Sequence, residues 1–173
     1  PAKIETVQQG ISGNLCRCTG YRPIVQAGMN ALGRDYESRL QDPVFFKETK
    51  PPSSGSVQQP LNESALREAM LQYPQASLIA GGTDLMLEVT QRYQPFERLI
   101  DVSRVAELRS IIETQDTYTI GASVTYTELE HFFATRSEQL VSLLHRLGSR
   151  QIRNCGTIGG NLANGSPIAD MPP

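Results

Sequence analysis

The sequence predicts an α+β protein in three parts: a short helical stretch, a linker, and a longer α/β stretch. Three observations predict it. Apolar residues near the N-terminal end recur at helical spacing. A segment rich in Pro, Ser and Gly follows. Beyond it, short apolar runs alternate with helical patterns, and two of the junctions are rich in glycine.

Residues 1–40 read as helices with one break. Ile4, Val7, Ile11 and Leu15 fall on one helical face. The run Cys16-Arg17-Cys18-Thr19-Gly20-Tyr21-Arg22-Pro23 interrupts them, because Gly20 and Pro23 punctuate the backbone. A second helix is predicted from Pro23, a residue suited to the first helical position, and carries Ile24, Ala27, Met29, Ala31 and Leu32. Residues 41–60 read as a linker, opened by Gln41-Asp42-Pro43 and continued by Lys50-Pro51-Pro52-Ser53-Ser54-Gly55-Ser56.

Residues 61–173 form the α/β stretch. Asn62 is placed to cap a helix through Leu66, Ala69 and Met70 that ends near Tyr73-Pro74. Ala76 to Ala80 reads as a short buried strand leading into Gly81-Gly82, with a helix expected from Thr83 or Asp84. Arg98 to Val102 is a second strand. The segments Leu108 to Glu113 and Thr117 to Gly121 flank Gln115-Asp116 and predict a hairpin. Two helices follow, near Thr127 to Phe133 and Glu138 to Leu147, and Arg150 to Pro173 is rich in Gly, Asn and Pro.

Composition excludes several classes. The 173 residues suffice for one sizeable domain or two small ones, and 39% hydrophobic residues can pack a core. The 16 basic and 18 acidic residues leave no basic footprint for nucleic acid. No apolar run approaches the roughly 20 residues of a membrane span, and no secretory signal is present. Three cysteines, an odd number, argue against a secreted disulfide framework and for a reducing, cytoplasmic setting. The first residue is Pro1, not Met, so the true N-terminus is expected to lie upstream.

The two glycine-rich segments carry the first functional signal. Successive backbone N–H groups form an anion-binding concavity, and glycine lets the backbone approach a ligand closely. The strand Leu78, Ile79, Ala80, the turn Gly81-Gly82-Thr83 and a following helix offer such a cradle. Gly156-Thr157-Ile158-Gly159-Gly160-Asn161 offers a similar set of amides. Either segment alone reads as a turn. Neither is a G-x-G-x-x-G fingerprint, which disfavours a Rossmann site. Together they indicate an anion or nucleotide site.

Cys16 and Cys18 can face one metal centre from a turn, as positions two apart in a helix cannot. A [2Fe–2S] cluster or a structural zinc needs four ligands, so the site is not completed locally. On motif alone, two unpaired thiols are the commoner reading. Cys155 reads as a small buried residue and His131 and His145 as surface or structural groups; Arg150 and Arg153 could contact a phosphate, but as charges near a polar loop they read more often as solvated.

These residues also resemble a known family. Gly13-Asn14-Leu15-Cys16-Arg17-Cys18-Thr19-Gly20-Tyr21-Arg22-Pro23-Ile24 resembles the second iron–sulfur domain of xanthine dehydrogenase and its molybdenum hydroxylase relatives. Ile79 to Leu85, Arg153 to Asn161, Ser166 to Asp170 and Ile120 to Thr125 are similar to the FAD domain of that family. The resemblance implies residues 1–40 as the C-terminal part of a helical [2Fe–2S] domain, with Cys16 and Cys18 as cluster ligands. It implies residues 61–173 as the first part of a PCMH-like FAD-binding domain. There Leu78, Ile79, Ala80, Gly81, Gly82, Thr83, Asp84 and Leu85 would hold FAD from one side. Thr157, Ile158, Gly159, Gly160 and Asn161 would hold it from the other, with Asp170 near the ribityl chain.

The implied activity is electron transfer. Electrons would pass from molybdopterin on a large partner subunit through [2Fe–2S] clusters to FAD and on to NAD, with no catalytic residue here. Iron–sulfur and FAD regions share this chain, as in xanthine dehydrogenase small subunits, single-chain eukaryotic enzymes and aldehyde oxidases. In the carbon monoxide dehydrogenase type they occupy separate subunits. The family's upstream Cys-x-x-Cys, its ferredoxin domain and the rest of its FAD domain are not in this sequence, so the resemblance implies an internal fragment or a truncated subunit. Two other readings stand beside this one: a non-catalytic scaffold without cofactors, and a dithiol or zinc interaction module.

Overall fold

A computed structural model describes residues 3–15, 19–32 and 57–165. The chain divides into two compact units, Pro1–Ser54 and Gly55–Pro173.

In the first unit, α1 (Ile4–Gly10) packs against α2 (Tyr21–Leu32). Val7 is buried between them. Gly28 makes this close approach possible, since a Cβ there would lie 2.5 Å from Val7 Cγ1. The sequence extends the first helical face to Leu15, but the helix stops at Gly10. Ile11 takes the C-cap, and Gly13 turns the chain with φ +83°. The second helix begins two residues before Pro23, at Tyr21. This leaves Pro23 in the first turn, where its missing N–H removes no helical bond.

The second unit opens with a three-stranded parallel sheet. Its strands are β1 (Val57–Gln58), β2 (Ser77–Ile79) and β3 (Leu99–Asp101), in the order β1-β3-β2. Val57 and Gln58 fall in the stretch read as linker, yet they pair with Leu99 and Ile100. Two residues give no periodicity, so only the pairing reveals this strand. Parallel strands of one sheet need crossover connections, and α3 (Glu63–Gln72) joins β1 to β2, the two strands that flank β3. Asn62 caps α3 by accepting the Ala65 N–H at 2.9 Å, and the helix ends at Tyr73, just before Pro74. Ile100, at the centre of the sheet, is 1% exposed.

The end of β3 is held by Asp101. Its carboxylate accepts the Ser103 N–H at 2.9 Å and the Gln59 side-chain amide at 3.0 Å. Burial works against ionisation of this carboxyl. The hydrogen bonds from Ser103 and Gln59 and the charge of Arg104 outweigh it, and hold the group below the usual aspartate range.

The predicted hairpin is present as β4 (Ile111–Glu113) and β5 (Tyr118–Ile120), paired antiparallel. Leu108 belongs instead to a 3-10 turn, Glu107–Arg109. Four helices follow: α5 (Tyr126–Phe133), α6 (Glu138–Arg146), α7 (Arg150–Cys155) and α8 (Ile158–Asn164). Each begins at a hydroxyl cap: Thr125, Ser137, Ser149 and Thr157 accept the N–H of Glu128, Leu140, Ile152 and Gly160. The main core lies among these helices and the hairpin, with Val124, Tyr126, Leu129, Phe133, Leu144 and Leu147 buried together. Tyr118 and Phe132 meet Phe133 edge-to-face at 5.1 and 5.0 Å. No helix among the described residues is long and apolar enough to cross a membrane.

Candidate functional site

The chain leaves the C-terminal end of β2 and turns sharply. Leu78, Ile79 and Ala80 lead into Gly81, Gly82, Thr83, Asp84 and Leu85, and all eight line a cleft of about 520 Å³. Gly82 sits at φ +68°, a conformation that favours glycine. Among the described residues, the N–H groups of Gly81 through Leu85 donate to no backbone carbonyl. The next rung that β3 could have offered, the Val102 carbonyl, is taken by the buried Ser123 hydroxyl at 3.1 Å. No helix starts at Thr83 or Asp84: turns fill residues 83–86, and the single helical turn α4 (Leu87–Thr90) comes later. The cradle is thus a run of unspent amides rather than a helix dipole.

The second glycine segment faces the same cleft but is built differently. Residues 158–164 are helix α8, and Thr157 is its cap. Glycine content favours a loop here, but the Thr157 cap and the left-handed Gly165 after the last turn delimit a helix. Ile158 N–H donates to Val124 O at 3.3 Å and Gly159 N–H to Ala122 O at 3.1 Å. Gly160 N–H is held by the Thr157 hydroxyl at 3.0 Å. The first amides of α8 are therefore used within the fold. Thr157, Gly160 and Asn161 line the cleft, whereas Ile158 and Gly159 lie off it. Gly159 has a packing role: a Cβ there would come within 2.5 Å of Ala122 Cβ.

Tertiary structure brings the two segments into contact. A Cβ on Gly81 would lie 1.7 Å from the Cys155 carbonyl oxygen, so only glycine lets β2's turn seat against the end of α7. The rest of the wall escapes sequence reasoning. Tyr126, Leu147, Ile152 and Gly156 close one side, and Ala163 and Asn164 extend the other. The hydroxyl caps Ser149 and Thr157 are the signal that could have found α7 and α8. Asp84 is the one charged residue in the described wall, which contains no Lys or Arg.

Two single-residue readings change. Cys155 is exposed, not buried. Arg153 is 4% exposed rather than solvated, because its guanidinium turns inward to the Leu147 and Gly148 carbonyls. His145 is structural, as expected, and pairs with Glu130 at 2.9 Å. Cys16, Cys18 and Asp170 lie outside the described residues, and the described residues contain no cluster of three or more groups suited to a metal.

The model of the FAD binding domain in molybdopterin dehydrogenase matches residues 52–173. The chain belongs to this family. Xanthine dehydrogenase of Drosophila subobscura is 27% identical over 96% of this chain, which spans 17% of that protein. The nicotinate dehydrogenase FAD-subunit of Eubacterium barkeri is 40% identical over 54% of this chain and 32% of its own length. Among solved structures, carbon monoxide dehydrogenase from Hydrogenophaga pseudoflava superposes with a TM-score of 0.59 at 32% identity, covering 65% of this chain and 40% of that one. The chain thus spans about a sixth of the xanthine dehydrogenases it matches.

The cleft fits part of a flavin dinucleotide. The free amides from Gly81 to Leu85 can meet a pyrophosphate without a cation. Leu78, Leu147 and Ile152 give apolar wall, while Thr83, Asn161 and Asn164 give polar contacts.

Proposed function

We propose that this chain is the electron-transfer part of a xanthine dehydrogenase-like molybdenum hydroxylase. It would pass electrons from a molybdopterin centre on a large partner subunit through [2Fe–2S] to FAD, and on to NAD, in the cytoplasm. The observation that carries the reading is the run of unspent amides at Gly81–Leu85, placed inside the family-matched residues. FAD supplies the exchange between one-electron and two-electron carriers.

This chain's residues would act by binding and orienting. The Gly81–Leu85 amides would neutralise the pyrophosphate, and glycine at 81 keeps the turn close to α7. Thr157 and Asn161 would add contacts from α8, and Asp170 would accept from a sugar-alcohol hydroxyl. Cys16 and Cys18 would supply two cluster thiolates, the remaining ligands coming from outside this sequence. Support for the cluster comes from the Cys-x-Cys string and from matches to xanthine dehydrogenases that extend over 96–98% of the chain.

A second reading, flavin binding without a cluster, is favoured by a different observation. Dedicated FAD subunits match at 35–40% identity over just over half of the chain, against 26–27% for the full-length matches. One experiment separates the two. In the full-length subunit, Cys16→Ser is expected to abolish one reduced-state EPR signal and leave the flavin absorbance intact. An unchanged EPR spectrum would leave flavin binding as the function and remove the cluster. A wild-type subunit without flavin absorbance would overturn both.

A further inference from the structure

The turn between α6 and α7 is built around one buried guanidinium. Gly148 adopts φ +54°, and the carbonyls of Leu147 and Gly148 both turn toward Arg153. Arg153 Nη1 donates to them at 3.3 and 3.0 Å. Its Nε faces Glu130 Oε2 at 3.5 Å, an ion-pair distance without a hydrogen bond. Glu130, on α5, also takes His145 of α6 at 2.9 Å. One carboxylate therefore ties α5, α6 and α7 together, and Arg153 is the link to α7.

This link bears on the cleft through short covalent paths. Leu147, whose carbonyl Arg153 holds, lines the cleft, as does Ile152, the residue before Arg153. Two residues after Arg153 comes Cys155, whose carbonyl oxygen seats against Gly81. Gly156 follows, and its carbonyl accepts the Tyr126 N–H at 3.0 Å. The position of α7 thus fixes one cleft wall and the seat of the amide-bearing turn.

We propose that Arg153 is a positioning residue for the flavin cleft: through the Leu147 and Gly148 carbonyls and Glu130 it sets where the end of α7 meets Gly81. It does not itself touch the cleft. The role needs a planar fork with several fixed donors, which lysine lacks. This inference rests on the cleft being a flavin site.

The test uses the full-length subunit and FAD itself as the probe. Arg153→Lys and Glu130→Gln are compared with Arg136→Lys, a control that alters another bridging arginine, bound to Glu113 and the Phe132 carbonyl outside the cleft wall. Two quantities are read: the FAD Kd of stripped protein by flavin fluorescence, and amide exchange at Tyr126 and Gly156. Arg153→Lys is expected to raise the Kd about tenfold or more and to speed exchange at both amides. Glu130→Gln, which keeps the guanidinium, is expected to give a smaller change in the same direction. Arg136→Lys is expected to lower the melting temperature while leaving both readouts at wild-type values. Wild-type Kd and exchange in Arg153→Lys would overturn the proposal while leaving the flavin reading intact, and so would an equal Kd change in Arg136→Lys. Should Arg153→Lys fail to fold, an unchanged Kd in Glu130→Gln would overturn it. A wild-type subunit that binds no FAD would overturn the functional reading, whatever the exchange data show.

Discussion

The segments Gly81–Leu85 and Thr157–Asn161 are alike in composition and differ in what their amides do. In the first, the residues line a cleft and their N–H groups donate to no backbone carbonyl among the described residues. In the second, the amides of Ile158, Gly159, Gly160 and Asn161 are bonded to Val124, Ala122 and Thr157. Glycine therefore has two uses within one site. At Gly81 and Gly82 it allows close approach and a positive φ, which keep a row of donors exposed. At Gly159 it lets a helix lie against Ala122. Residues 81–85 are exposed or half-buried, so water satisfies these donors until a ligand does. Such a row offers a ligand several donors at once, which glycine content alone does not reveal.

Substitutions can break this comparison, beginning with the largest effect. Gly81→Ala puts a Cβ 1.7 Å from the Cys155 carbonyl oxygen, and the three nearest atoms are all backbone. We expect a loss of roughly 3 kcal/mol from overpacking, together with loss of bound FAD. Urea unfolding and flavin absorbance of the full-length protein measure both. Retention of wild-type flavin content would show that the two segments need not touch.

Gly159→Ala sharpens the contrast. Its Cβ would press on Ala122, 2.5 Å away, at an expected cost of about 2 kcal/mol. Since Gly159 lies off the cleft, the FAD Kd under conditions where the variant is folded is expected to change less than twofold. A Kd change as large as that of Gly81→Ala would place the second segment's amides at the ligand after all.

The smallest effect concerns the sheet beneath the first segment. Asp101 is held below its ordinary pKa of about 3.9. Its folded-state value is depressed, so its stabilisation is complete above about pH 4 and is lost as pH falls through the lower folded value. Asp101→Asn is expected to cost about 1 kcal/mol at neutral pH. The gap to wild type should narrow on acidification below pH 4. Urea titrations across that range check it, and a gap that stays constant would mean that the Gln59 and Ser103 contacts do not favour the ionised form.

Much of the scaffold was legible because its signals are local. The Asn62 cap, the Tyr73-Pro74 stop and the hairpin around Gln115-Asp116 each rest on a few neighbouring residues. Helices α7 and α8 were missed where local signals conflict, since glycine and asparagine content outweighs two hydroxyl caps in a reading by composition. Arg153 was misread because an arginine near a polar loop is usually solvated, and only the turn at Gly148 gives it buried carbonyls to bind.

The sequence by itself determined the alternation of elements, the two glycine-rich segments and the resemblance to the family's FAD domain, which the matching domain bears out. Those depend on residue identity and spacing along the chain. Tertiary structure decided which glycine amides stay free, that β1 joins the sheet, and that Gly81 meets Cys155 across 74 positions of sequence. The reason is physical: a hydrogen bond or a close contact depends on what lies opposite in space, and the partner is set by packing rather than by neighbours in the chain.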